Sequence, residues 1–285
     1  MAVEELKKTL VLGHRNPDTD SICSAICYAG FKHQLTGENY EPCRAGNVNP
    51  ETQYVLDYFK LKAPRLVENV KTQVKDIEIR KTKGVSRGIS LKNAWGLMQE
   101  NNVVTLPCVT EEGLLEGVIT IGDITKSYMN LYDSSIISKA CTKYANILDT
   151  LEGSMVVGDS EAYFDRGKVL IAAANPDLME NYIEKHDLVI LGNRYESQLC
   201  AIEMEAGCII VCEGAGVSLT IRKLAQERGC TVITTPYDTY TAARLINQSM
   251  PISYFMKTEK LITFDTDDFI DDIKDVMASK RFRHF

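Results

Sequence analysis

The chain has 285 residues, 45% of them apolar and 25% charged, and a formal net charge of −7. That length and composition suit two or three globular domains, each with a real core. The acidic balance implies no basic face large enough to hold nucleic acid, and no apolar run approaches the roughly 18–20 residues of a membrane helix. An anionic substrate would therefore need metal ions or a local Lys/Arg pocket.

The opening stretch MAVEELKKTLVLG has no long apolar run and no small-residue cleavage signature, so a cytoplasmic location is expected. The nine cysteines form no CxxC pair, and buried reduced thiols are the expected reading. KTLVLG reads as a buried strand of a parallel sheet. A helix follows, capped by Asp20 or Ser21 and stopped at Gly37. YEPCRAG is a second strand, and NPETQYVLDYFKL a helix with Asn49 as N-cap and Pro50 in its first position. This alternation opens an α/β sheet. From about Val70 to Asn130 the pattern changes to helix, strand, turn, strand, helix, with Trp95 and the Met98 row as core. Between 131 and 250 strands and helices alternate again, clearest at KHDLVILG, AGCIIVCEG and GCTVITT.

The last residues repeat an earlier segment: IKDVMASKRFRHF lies on AWGLMQENNVVTLP with Met277 on Met98. The repeat stops at Phe285 before its own strand pair, so the chain is expected to be shorter than the protein it comes from. DTDDFIDDIKD holds six Asp in residues 265–275, but Phe269 stands where a calcium loop needs a ligand, and an acidic helix face is expected there. The turns GNR (192–194) and EGAG (213–216) lack both a third glycine and a following Lys, and read as structural.

Two motifs carry chemistry. His14, Asp18 and Asp20 lie in HRNPDTD, just past the first strand, where open α/β sheets place ligands. A borderline divalent ion such as Mn²⁺ or Co²⁺ accepts imidazole and carboxylate together. Read from spacing alone, Asp18 and Asp20 serve equally as turn and N-cap acids, with His14 a buried hydrogen bonder. In GVITIGD, Thr120 and Asp123 put a hydroxyl and a carboxylate at i, i+3 of a helix start. A capped helix with Asp123 in its first turn is the alternative there.

GHRNPDTDSICSAICYA and NPETQYVLDYFKLKAPRL resemble the opening of the manganese-dependent (family II) inorganic pyrophosphatases of the DHH phosphoesterase superfamily. By that resemblance His14 and Asp18 ligate one metal and Asp20 the other. The segment Val74–Asn130 resembles a CBS domain, in which Thr120 and Asp123 would hydrogen-bond a ribose, and TTPYDTYTAARLI resembles a DRTGG domain. In the second CBS copy Lys280, Arg281 and Arg283 would neutralise nucleotide phosphates, with Phe282 and Phe285 facing the core; a solvated charge run is the alternative there.

The resemblance implies an α/β chain: the N-terminal part of a parallel-sheet DHH domain, then α+β CBS and α/β DRTGG regulatory domains. The expected boundaries are 1–66 for the DHH part, 67–132 for the first CBS domain, 133–250 for DRTGG and 251–285 for an incomplete second CBS domain. The implied activity is hydrolysis of inorganic pyrophosphate with Mn²⁺ or Co²⁺ in a two-metal site and Mg²⁺ on the substrate. AMP, ADP and ATP are the implied regulators and a homodimer the implied assembly, with neither nucleic acid nor membrane as partner. The resemblance also implies acidic ligands, an Asp-His-His motif and a Ser-Arg-Lys motif that this sequence lacks. This chain alone is therefore expected to hydrolyse pyrophosphate poorly or not at all. The competing expectation is a catalytically inactive adenine-nucleotide-binding module. A nuclease of the same superfamily is disfavoured by the acidic charge.

Overall fold

The structure is a computed structural model that describes residues 8–79, 82–129 and 133–281. Contacts divide it into two compact units, one holding the residues up to Ile79 together with those from Phe264, the other the residues between.

In the first unit β1 (Thr9–Val11), β2 (Tyr40–Arg44) and β3 (Arg65–Leu66) form a parallel sheet in the order β1-β2-β3. Between them run α1 (Thr19–Thr36) and α2 (Pro50–Tyr58). Asn49 accepts a hydrogen bond from the Thr52 amide at 2.7 Å, and Pro50 occupies the first helical position, where its missing N–H costs nothing. Gly37 adopts φ +72° and its amide closes α1 on the His33 carbonyl, a left-handed cap that other residues adopt only with strain. Two expectations change. The N-cap of α1 is Asp18, not Asp20 or Ser21. Among the described residues β1 stands at the edge of its sheet, with Thr9 and Leu10 exposed, so its apolar run is less covered than expected.

The second unit begins with α3 (Leu91–Glu100), capped by Ser90, and the antiparallel pair β4 (Thr105–Val109) and β5 (Leu115–Thr120), followed by α4 (Ile121–Met129). Met98 is buried, but Trp95 is 45% exposed, against the expectation that both are core. One turn of helix separates the two, and only the Ala94–Met98 side meets the hairpin.

Short elements follow: α5 (Ile136–Lys139), β6 (Thr142–Lys143), α6 (Tyr144–Thr150), β7 (Ser154–Val157) and β8 (Tyr163–Phe164). The main sheet is then built from β9 (Val169–Ile171), α7 (Pro176–Met179), β10 (Leu188–Leu191), α8 (Tyr195–Glu203), β11 (Cys208–Val211), α9 (Leu219–Arg228), β12 (Thr231–Thr234) and α10 (Thr239–Leu245). Its order is β7-β12-β11-β10-β9, with β9 to β12 parallel and β7 antiparallel on the edge.

LVIL and CIIV are buried at every position because both faces of this sheet are covered. Leu188, Ile190, Cys208 and Ile210 join one apolar cluster with Leu91, Met98, Leu106 and Ile119. Val189, Leu191, Ile209 and Val211 join another with Ala201, Ile202 and Ile221. The buried Asp187 at the entry to β10 is satisfied by the amides of Lys168 and Glu184, at 2.9 and 2.8 Å, and is a structural clamp.

The segment after α10 returns to the β4–β5 pair. Leu91 donates to the Met250 carbonyl, Ser90 bridges Pro251, and Lys257 bridges Val118. The chain from Phe264, in the first unit, pairs Phe269 with Gln73 and ends in α11 (Ile270–Lys280), none of whose residues is buried. Its match to α3 is therefore one of sequence, not burial. No helix among the described residues is long and apolar enough to cross a membrane.

Candidate metal and nucleotide sites

The loop after β1 is held by close backbone approaches. A Cβ on Gly46, in the loop after β2, would lie 2.4 Å from the Arg15 carbonyl, and one on Gly13 would lie 1.8 Å from Ser21 Oγ. Arg44 donates to the carbonyls of Gly46 at 2.6 Å and Pro64 at 3.0 Å, which braces the second loop. The hydroxyls of Thr19 and Thr52 meet at 3.0 Å, tying the first turns of α1 and α2 together. Two helix N-termini thus flank the C-terminal ends of parallel strands, an arrangement that favours anionic groups.

Asp18 Oδ1 accepts from the Ser21 amide at 2.9 Å and lies 3.3 Å from His14 Nε2. The Ser21 amide, and after it the His14 ring, hold the Asp18 carboxyl below its usual range. An ionised carboxylate and an imidazole therefore face one point at the strand end, and both side chains are more than half exposed there. Asp20 is not brought to that point: its Oδ1 accepts from Ser24 Oγ at 3.2 Å, one turn along α1. Among the described residues no group of three His, Cys, Asp or Glu side chains could hold a metal ion. The donor chemistry of His14 and Asp18 suits Mn²⁺ or Co²⁺, with two donors at this point.

In the second unit Thr120 and Asp123 form a reciprocal cap on α4. Asp123 Oδ2 accepts from the Thr120 amide at 3.0 Å and from its hydroxyl at 2.6 Å, and the Asp123 amide donates to Thr120 Oγ1 at 3.2 Å. The pair is thus the capped helix start that sequence alone allowed as an alternative. The remaining oxygen, Oδ1, faces Lys257 Nζ at 3.3 Å. Lys257 was not singled out from sequence. The available signal was its place just ahead of the repeated segment, where the chain returns to the edge of β5.

Gly117, the first residue of the GVITIGD motif, admits that return: a Cβ there would lie 2.7 Å from the Lys257 carbonyl. Lys280 and Arg281 close α11 in the first unit, and Arg281 takes φ +53° as its C-cap. Arg283, Phe282 and Phe285 lie outside the described residues.

A CBS-domain family model matches residues 74–130, and a DRTGG-domain model matches 146–249. The cobalt-dependent inorganic pyrophosphatase of Clostridium perfringens is 39% identical over 275 residues, 96% of this chain and 50% of that protein. A probable manganese-dependent inorganic pyrophosphatase of Thermotoga maritima is 29% identical over 282 residues, 99% of this chain and 51% of its own length. The crystal structure of the CBS and DRTGG domains of the Clostridium perfringens pyrophosphatase regulatory region, complexed with its activator diadenosine tetraphosphate, superposes with a TM-score of 0.70 at 36% identity. It covers 74% of this chain and 92% of its own. The chain spans about half the length of these two pyrophosphatases. It belongs to the family of cobalt- and manganese-dependent inorganic pyrophosphatases that carry CBS and DRTGG domains.

Proposed function

We propose that the protein hydrolyses inorganic pyrophosphate to two phosphates under the control of adenine nucleotides. His14 and Asp18 would be part of a two-metal site, and Thr120 and Asp123 part of the nucleotide site. The observation that carries the catalytic half is the convergence of His14 Nε2 and Asp18 Oδ1 at the C-terminal end of β1. Asp20 sits one residue inside the same helix and needs a change of rotamer, away from Ser24, to contribute. Bound Mn²⁺ or Co²⁺ would supply a hydroxide near neutral pH and neutralise the anionic oxygens of the substrate. The chain's own contribution is to keep Asp18 ionised through the Ser21 amide and to present the open N-terminus of α1 beside it. Mg²⁺ would accompany the substrate.

The domain reading that goes with this is a DHH part over 1–66, CBS over 67–132, DRTGG over 133–250 and the start of a second CBS domain over 251–285. AMP, ADP and ATP would bind at the CBS region, with Lys280, Arg281 and Arg283 as phosphate partners, in a cytoplasmic homodimer.

A second reading, a nucleotide-binding module without catalysis, is favoured by the two-donor rather than three-donor cluster among the described residues. Phosphate release from pyrophosphate by the product of the native gene, with Mn²⁺ or Co²⁺, separates the two. On the first reading, His14→Ala and Asp18→Ala each lower turnover on the order of 100-fold, at least as much as removing a metal's outer partners does. Turnover unaffected by both variants would remove these residues from the site.

A further inference from the structure

Each oxygen of Asp123 has a partner in the ligand-free protein. Oδ2 is committed to the amide and hydroxyl of Thr120, bonds that also cap α4. Oδ1 is paired with Lys257, whose side chain is 60% exposed while that of Asp123 is 14% exposed. The two partners are not equally replaceable. Giving up Oδ2 dismantles a helix cap, whereas giving up Oδ1 only releases a flexible, solvated ammonium. Asp123 is largely buried and Lys257 covers its less committed oxygen, so a sugar hydroxyl that donates to Asp123 enters at Oδ1 at the expense of the Lys257 contact.

We infer that Lys257 is an exchangeable partner that makes the Thr120–Asp123 site select phosphorylated nucleosides over bare ones. The inference rests on the proposed nucleotide reading of that site and adds to it a residue and a selection rule. The Lys257 backbone is fixed on β5 by two hydrogen bonds with Val118, of 3.0 and 2.9 Å, so the displaced side chain stays within its own length of the site. An ammonium is a compact charge with three donors and no acceptor. Displaced from Oδ1 by a ribose hydroxyl, it needs another anion, and in a 5′-nucleotide the phosphate lies one sugar ring away. A nucleoside offers none, so its binding leaves the ammonium without its carboxylate. The ligand-free contact thus penalises adenosine and is repaid by AMP. The selectivity arises as much from the unpaired charge left by the wrong ligand as from attraction to the right one.

The test is calorimetric titration of the protein with adenosine and with AMP, in the wild type, Lys257→Met and Lys257→Arg. Methionine keeps the length and apolar stem at an exposed position, and arginine keeps the charge. The expected result is that Lys257→Met tightens adenosine, weakens AMP, and lowers the AMP-over-adenosine preference about tenfold, the scale of one charge-assisted hydrogen bond to phosphate. Lys257→Arg should keep the preference. An unchanged preference in Lys257→Met, with the wild type still binding AMP, overturns the role of Lys257 alone. Wild-type protein that binds neither ligand overturns the nucleotide reading of the site and this inference with it.

Discussion

Two glycines of the CBS segment should respond to alanine with opposite signs. At Gly117 a Cβ would stand 2.7 Å from the Lys257 carbonyl and 3.3 Å from Met256 Sδ, so the 256–257 backbone must move away. Overpacking of this kind costs roughly 1–3 kcal/mol. The Val118–Lys257 hydrogen bonds at risk contribute about 0.5–1.5 kcal/mol each. These are two views of one event and do not add, so Gly117→Ala should lose about 2 kcal/mol. Gly96, in the interior of α3, has open space around the same position. Replacing a mid-helix glycine there should gain about 0.5–1 kcal/mol from backbone entropy. With a urea slope of about 2 kcal/mol/M, the midpoints should separate by about 1 M or more, Gly96→Ala above wild type and Gly117→Ala below. Equal midpoints, or a Gly117→Ala variant as stable as wild type, would refute the claim that the chain after α10 is docked tightly on β5.

Asp18 should separate into a capping and a charge role. In metal-free buffer Asp18→Ala should melt a few degrees below wild type, whereas Asp18→Asn, an equally good N-cap, should not; in both, calorimetry should read weaker Mn²⁺ binding. Thiol labelling at pH 8 should mark the exposed Cys27 and Cys141 first. Cys108 and Cys230 should stay unlabelled until denaturant is added, because burial raises their pKa values to about 11 and about 12 and keeps the reactive thiolate scarce. Glu41, hydrogen-bonded by Arg65 and Lys8, is held below its ordinary 4.5. A depressed carboxyl stabilises above its unfolded pKa and loses that contribution as pH falls through the folded one, so below about pH 4.5 wild type should lose melting temperature more steeply than Glu41→Gln.

Local signals were legible wherever one residue type settles the backbone. Asn49 followed by Pro50 starts α2, Gly37 stops α1, and the continuous runs LVIL and CIIV lie in a sheet covered on both faces. The N-cap of α1 was misplaced at Asp20 or Ser21, because Asp18 is an equally competent cap and only the geometry of the loop from Gly13 selects it. Trp95 shows the limit of helical periodicity: it marks a stripe but not which edge of that stripe the hairpin reaches. The Thr120–Asp123 pair was readable as a cap or as a ligand site, and the structure makes the cap. Lys257 was invisible for a different reason. It meets Asp123 only through a strand pairing between residues far apart in sequence, and no local pattern encodes that partner.

The most direct test of the account is the rate of phosphate release from pyrophosphate by the native gene product with Co²⁺ or Mn²⁺, measured with and without AMP. Turnover should require the metal and change when AMP saturates. Turnover that ignores AMP would contradict the regulatory half, and no turnover with either metal would contradict the catalytic half.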